Sequence, residues 1–153
     1  MEDYEYFNLA LDQCKKAYKN DELPVGAVLV INNKIFGSGH NLTNTNNDPL
    51  AHCEKLLLEK FYMNRFKIIS LVLYVTLEPC AMCYGLFSEL QQKYDIKMKI
   101  VFGAYNEIFG MTRVMEEEFI NKNIEYKCMN DDRVIKIIKD FYVNSNKQIS
   151  HSK

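Results

Sequence analysis

The sequence predicts an α/β fold, a three-layer α/β/α sandwich around a mixed five-stranded sheet, in one domain over residues 1–143 with a polar tail over 144–153. Three observations lead there. Helical and strand patterns alternate along the chain. The first two strands are joined by a two-residue turn, which makes them an antiparallel hairpin. The later strands are separated by helix-length segments, which makes them parallel neighbours joined by right-handed crossovers. At 153 residues, 48% of them hydrophobic, the chain is long enough to bury one core.

Residues 2–20 read as a helix, with Phe7, Ala10, Leu11, Cys14, Ala17 and Tyr18 on one face. Cys14 there reads as a small buried hydrophobe. Asp21-Glu22-Leu23-Pro24 ends the helix. Val25 to Ile31 is an apolar run that suits a buried strand, Asn32-Asn33 is a tight turn because Asn tolerates positive φ, and Lys34 to Gly39 returns as the second strand. A polar loop over Asn44 to Asp48 leads to a helix from Leu50 to about Phe61, buried by Leu56, Leu57 and Leu58. Tyr62 to Lys67 reads as a solvated connection, locally basic through Arg65 and Lys67.

Leu71 to Leu77 alternates little, as a central strand covered on both faces does. A helix follows from Pro79, a residue suited to the first helical position, to about Gln91. Ile100 to Phe102 is a short strand, and Gly103 to Val114 a loop hinged at Gly110. Met115 to Ile120 suits a short acidic helix, and Ile124 to Met129 the last strand. Asp131 to Val143 closes the chain as a helix whose apolar face carries Val134, Ile135, Ile137, Ile138, Phe141 and Tyr142.

Composition narrows the functional classes. No apolar run reaches the ~18 residues of a membrane span. The first five residues, Met1-Glu2-Asp3-Tyr4-Glu5, are acidic where a signal peptide needs a basic start, so a cytoplasmic protein is expected, with the nucleus a further possibility in a eukaryote. Five cysteines, an odd number, favour metal use over a disulfide framework. The formal charge is −1 and the isoelectric point about 6.3, without the basic excess of most nucleic-acid binders; a local patch or a partner would have to supply it.

Two stretches carry chemistry: Ala51-His52-Cys53-Glu54, and Thr76-Leu77-Glu78-Pro79-Cys80-Ala81-Met82-Cys83. Together they offer one imidazole, two thiols and one carboxyl. Zinc takes thiolate and neutral imidazole, and a catalytic zinc with three protein ligands keeps a position for water, whose pKa it brings to roughly 7. Cys80 and Cys83 fall at i and i+3, on one face of a first helical turn, where the helix dipole favours thiolate. Glu54, two residues past His52, is left to move protons. A closed structural site would need a fourth protein ligand, and no nearby Cys or His offers one. A catalytically dead relative is disfavoured by the intact Glu54.

The arrangement H-x-E…P-C-x-x-C is the signature of zinc nucleobase deaminases. The blocks Leu23-Pro24-Val25-Gly26-Ala27-Val28, Asp48 to Glu54, Leu73 to Cys83 and Val101-Phe102-Gly103-Ala104 resemble, in order, the motifs of the TadA-type tRNA adenosine deaminases. These include the bacterial enzyme and the catalytic subunit of the eukaryotic one. The likeness runs from about Asp3 to Phe141. It implies a cytidine-deaminase-like fold, one zinc per subunit on His52, Cys80 and Cys83, and Glu54 as the catalytic acid/base. It implies substrate contacts at Asn41, Leu23, Cys53 and Asn106, with a loop asparagine capping backbone as the other reading of Asn41, and conversion of the wobble adenosine of a tRNA anticodon loop to inosine. A dimer is expected, either a homodimer or a heterodimer with a related non-catalytic subunit. Phe141 and Tyr142 align with aromatics that reach RNA in the family, although a core role for at least one suits the helix pattern.

The chain departs from the bacterial pattern in two places. Ser88 to Lys99 is longer and more polar, which puts the bacterial mode of dimerisation in doubt. Asn106-Glu107-Ile108-Phe109-Gly110 looks more like the eukaryotic subunit, with Asn106 where bacterial enzymes usually carry Asp. The alternative is a free-nucleobase deaminase of the same fold acting on cytosine or guanine. Glu78 before Pro79, together with Ala81-Met82, leans toward the tRNA enzymes.

Overall fold

The structure, a computed structural model, describes residues 1–62 and 67–151, with side chains through Ser145. The elements run in the order α1 (Asp3–Lys19), β1 (Gly26–Ile31), β2 (Lys34–His40), α2 (Cys53–Tyr62), β3 (Ser70–Leu77), α3 (Ala81–Tyr94), β4 (Lys97–Ala104), α4 (Met111–Val114), β5 (Ile124–Cys128) and α5 (Asp132–His151). A single 3-10 turn spans Glu117–Phe119, where a short acidic helix was expected.

One five-stranded sheet has the order β2-β1-β3-β4-β5. β1 pairs antiparallel with β2 and β3, while β3–β4 and β4–β5 are parallel. Residues of period two feed the two faces. Ala27, Leu29, Ile31, Leu73, Val75, Ile100 and Phe102 pack with α2 and α3 through Leu57, Leu58, Tyr84 and Phe87. Val28, Val30, Tyr74 and Val101 pack on the other face with Phe7, Ala10 and Leu11 of α1 and Val134 of α5. The inner strands β1 and β3 and the second half of β4 are apolar on both sides because both sides are covered. α1 lies so close to β1 that a Cβ at Gly26 would overlap the backbone of Cys14 and Ala10, so only glycine fits there.

The hairpin turn is built as the sequence suggests: Asn32 and Asn33 sit at φ 50° and 64°, the left-handed region a two-residue turn needs. Asn32 also does more than turn. Its Oδ1 accepts from the N–H of Ile69 and Ser70, at 2.7 and 3.2 Å, and its Nδ2 donates to the carbonyl of Lys67 at 2.9 Å. It thus ties the hairpin to the lead-in of β3.

Several boundaries differ from expectation. α2 begins at Cys53, not Leu50, because Asp48-Pro49-Leu50 folds as a turn in which Asp48 Oδ1 accepts the Leu50 N–H at 2.9 Å. α3 begins at Ala81, not Pro79, because the Pro79–Cys80 backbone pairs with the segment around Gly110 instead of winding. The polar stretch after Ser88 is the last turns of α3, a left-handed cap at Asp95 (φ 48°), and the start of β4. β4 is longer than expected because Lys97, Met98 and Lys99 alternate exposed, buried and half-buried, which the first residues of a strand accommodate while Met98 packs in the core. α5 continues past Val143 to His151, over residues expected as a polar tail. The solvated connection expected over Tyr62 to Lys67 lies largely outside the described residues. No described helix is long and apolar enough to cross a membrane.

Candidate metal centre and substrate groove

The centre forms at the carboxyl ends of the parallel strands β3 and β4, where open α/β sheets place their sites. His52 is the residue before α2. Its position follows from Asn41, whose Oδ1 accepts the Cys53 N–H at 3.0 Å and caps the helix. His52 O in turn accepts the Leu56 N–H at 3.0 Å. From the other side, β3 ends at Leu77 and the Glu78 N–H bonds the Ala104 carbonyl at 2.8 Å. Cys80 then holds the cap position of α3, with Cys83 three residues on.

His52, Cys80 and Cys83 converge, with one donor atom from each inside 4.8 Å of the others. His52 Nδ1 lies 3.5 Å from Cys80 Sγ and 3.6 Å from Cys83 Sγ. A tetrahedral ion at the usual Zn–N and Zn–S lengths would space nitrogen and sulfur by roughly 3.6 Å, so the donor set fits zinc in chemistry and in spacing. Among the described residues no other such cluster of His, Cys, Asp and Glu occurs. His40 stands apart, its Nδ1 paired with the Asn41 carbonyl at 2.8 Å.

Electrostatics follow the geometry. Hydrogen bonds from the Cys83 thiol and then from His52 pull the Cys80 thiol well below its ordinary value, against its burial. Donating that bond pushes Cys83 up, and burial adds to it. The bond to Cys80 raises His52. A bound cation deprotonates a coordinating thiol outright.

Glu54 is 4% exposed, and that burial pushes its carboxyl up from the ordinary value. Its Oε2 lies 3.7 Å from Cys83 Sγ, beside the donor set without belonging to it.

A groove of about 1300 Å³ opens from the centre. His52, Glu54 and Cys80 of the centre line it, with Leu23, Thr43 and Asn44 from the segments flanking the β1–β2 hairpin making one wall and Tyr105 to Phe109, after β4 on the other side of β3 in the sheet order, making the other. It extends to α5 at Ile135, Lys139 and Tyr142. Ile108 and Phe109 are exposed despite being apolar, as is Tyr142. Of the lining residues Lys139 is the one lysine or arginine, against Asp48, Glu107 and Asp132 at the rim.

The expected substrate contacts fare differently. Leu23, Asn41 and Asn106 line the groove. The Asn41 oxygen is committed to capping α2, which leaves its NH2 to donate to a ligand. Asn106 Oδ1 accepts from the N–H of Ile108 and Phe109, at 3.3 and 3.1 Å, and so shapes its own loop. Cys53 does not line the groove. It is 1% exposed in the core, its thiol 3.6 Å from Glu54 Oε2, because the residue after His52 on the helix turns the other way. Phe141 packs edge-on against Tyr18, whereas Tyr142 lies in the groove. Tyr105, Ile108 and Phe109 went unassigned as lining residues; an apolar run inside a loop was the available signal.

A five-stranded mixed sheet with a His-Cys-Cys centre beside a buried glutamate defines the architecture of a hydrolytic deaminase. The family model for the cytidine and deoxycytidylate deaminase zinc-binding region matches residues 1–103. The tRNA-specific adenosine deaminase of Bacillus subtilis is 35% identical over 128 residues, 78% of this chain and 75% of that protein. The tRNA-specific adenosine deaminase 2 of Xenopus laevis is 28% identical over 97% of this chain and 90% of its own. A structure solved in studies of A-to-I editing by tRNA:A34 deaminases at the wobble position of transfer RNA superposes with a TM-score of 0.69, at 26% identity, over 88% of this chain and 99% of that one. The chain belongs to the cytidine and deoxycytidylate deaminase family, on the branch of the tRNA-specific adenosine deaminases.

Proposed function

We propose that this protein hydrolyses adenosine to inosine at the wobble position of tRNA anticodon loops. The observation that carries this is the placement of a buried carboxyl, Glu54, beside the His-Cys-Cys centre in a long open groove. A volume of about 1300 Å³ exceeds the ~300–1,000 Å³ of ordinary small-molecule pockets, and a lone base would leave most of it empty. A base within a duplex is out of reach of such a site, so the substrate is a nucleotide splayed from a single-stranded loop.

His52, Cys80 and Cys83 would hold one zinc per subunit. When bound, zinc supplies the Lewis acidity that makes water a nucleophile near neutral pH. Glu54 takes the proton of the attacking water on a carboxylate oxygen and passes it to N1 of the adenine ring as oxygen adds at C6. Glu54 then delivers the second proton to the departing amino group, so that adenosine and water leave as inosine and ammonia. The Asn41 NH2 donates to the purine. Tyr105, Phe109 and Tyr142 offer rings and Ile108 an apolar wall for flanking bases, a mode of binding that tolerates a groove poor in lysine and arginine. The backbone phosphates then call for a basic partner. Of the two expected dimers, one with a related, more basic non-catalytic subunit would provide it, whereas a second copy of this chain, at a formal charge of −1, would add no basic excess. Such a substrate places the activity in the cytoplasm, or in the nucleus of a eukaryotic cell.

The test is ammonia release from an anticodon stem-loop RNA beside free cytosine, guanine and adenine, with zinc-loaded and chelator-treated enzyme. Release from the RNA alone, lost with the chelator and restored by zinc, is the expected result. Release from a free base with none from RNA would refute the substrate assignment.

A further inference from the structure

Two carboxyl groups besides Glu54 are buried at the groove: Glu78 is one of its lining residues, and Glu22 lies behind the lining residues Thr43 and Asn44. Glu22 is fully buried and Glu78 is 2% exposed. We propose that Glu22 and Glu78 are positioning residues for the reaction, each holding one wall of the substrate groove, and that each must be a carboxylate rather than an amide to do so.

Glu22 lies in the connection between α1 and β1 and reaches across to the loop after β2. Its Oε2 accepts the Asn44 N–H at 3.1 Å and the Thr43 hydroxyl at 3.3 Å; its Oε1 accepts the Thr45 N–H at 2.6 Å and the Thr45 hydroxyl at 3.0 Å. Thr43 and Asn44 line the groove. Glu78 repeats the device on the other wall. Its Oε1 accepts the Asn106 N–H at 3.2 Å, and its Oε2 accepts the Thr112 N–H at 3.1 Å, the Thr112 hydroxyl at 2.7 Å and the Tyr126 hydroxyl at 3.1 Å.

In both cases each carboxylate oxygen takes one backbone N–H. Hydroxyl donors can turn and accept instead, but a backbone N–H cannot. A glutamine has one oxygen, so it can satisfy one of the two amides and must aim its NH2 at the other. The side chain therefore reads as a requirement for two acceptors, not for shape.

Glu78 has a second reach. The loop it anchors is bonded directly to the metal-bearing segment: the Ala81 N–H to the Phe109 carbonyl at 3.2 Å, the Met111 N–H to the Pro79 carbonyl at 3.1 Å, with Cys80 and Gly110 bridged between them. A Cβ at Gly110 would overlap Glu78 Oε1 and the Asn106 carbonyl, so the loop closes on the carboxylate only with glycine there. Gly110 is thus a close-packed contact and not the hinge expected from sequence. The wall that would meet the substrate is thus joined by backbone hydrogen bonds to the segment that carries Cys80.

The inference rests on the proposed deamination of a loop nucleotide, and the experiment separates the two. Hydrogen–deuterium exchange on the zinc-loaded full chain reads each anchor without substrate; steady-state kinetics on the stem-loop read its consequence. Glu22→Gln is expected to raise exchange at least tenfold in 43–47 and leave 105–112 as it was. Glu78→Gln is expected to do the reverse. Both retain zinc, and both raise KM for the stem-loop at least fivefold, with a smaller change in kcat. Thr45→Val and Thr112→Val, which remove one hydroxyl donor each, shift the same segments less and guard against a Gln variant that fails to fold. Exchange unchanged in the anchored segment, exchange raised equally throughout the chain, or a loosened loop with KM unchanged would each overturn the proposal. A wild-type enzyme inactive on the stem-loop would instead contradict the substrate assignment, with the exchange pattern still deciding the anchors.

Discussion

At the scale of the residue, the centre depends on a division of labour among groups within a few ångströms. His52, Cys80 and Cys83 point donor atoms at one place, and Glu54 sits beside them with its carboxyl kept from solvent. Replacing Glu54 by Ala should leave bound zinc intact, as metal analysis of the purified protein would show, and reduce kcat by roughly 10²–10⁴-fold, the usual worth of a positioned acid/base. Full activity in the zinc-loaded variant would remove Glu54 from the mechanism. These four residues were legible in the sequence because ligand chemistry restricts residue type and helical spacing restricts position. Glu22 and Glu78 were visible only as a helix-ending residue and a motif neighbour. Their partners lie more than twenty residues away, and no periodicity announces a hydrogen bond over that separation.

Among the elements, helix starts matter most, since both ligand-bearing segments lie at one. The pattern of apolar residues gave α2 its body but not its first residue, because the cap comes from Asn41, on the far side of a polar loop. Asn41→Ala should therefore cost about 1 kcal/mol of stability, the typical worth of a lost cap, readable by chemical denaturation. It should also lower kcat, because Glu54 stands in the first turn of the helix that Asn41 caps. A variant with lowered stability and unchanged kcat would show that the cap does not position Glu54. The late start of α3 has a similar origin: Pro79 and Cys80 spend their backbone groups on the Gly110 segment. Strands were easier to place than helix ends, because burial on both faces leaves a continuous apolar run. β4 was shortened in the sequence reading only because lysines flank Met98.

For the whole molecule, α1 is tied to the sheet by more than its apolar stripe. Asp3 Oδ2 meets Lys99 Nζ at 2.6 Å and Lys127 Nζ at 3.1 Å, and Tyr74 Oη donates to Asp3 Oδ1 at 2.7 Å. Burial pushes the Asp3 carboxyl up, but the hydrogen bonds from Lys99, Tyr74 and Lys127 outweigh it and hold it at about 2, below its ordinary 3.8. A depressed carboxylate stabilises the fold above its unfolded value and loses that contribution as the pH falls through the folded one. Stability from Asp3 should thus be complete above about pH 4 and gone below about pH 2. Solvent screening at this partly exposed cluster limits it to about 1 kcal/mol. Asp3→Asn should lose that amount in denaturant titrations at pH 7 and little at pH 2; equal losses at both would mean the charge is irrelevant. The overall architecture was legible because alternation of elements, turn chemistry and two-sided burial all agree on one layered sheet. The continuation of α5 was not, because Asn144, Asn146 and Gln148 are polar enough to read as tail.

The central claim is that this chain edits one adenosine of a tRNA loop. Its most direct test is nucleoside-resolved analysis of an unmodified anticodon stem-loop carrying adenosine at the wobble position and at a second loop position, with Glu54→Ala as the blank. The account predicts inosine at the wobble position, none at the second, and none with the variant. Inosine at both positions, inosine with the variant, or an unchanged stem-loop beside deaminated free guanine or cytosine would contradict it.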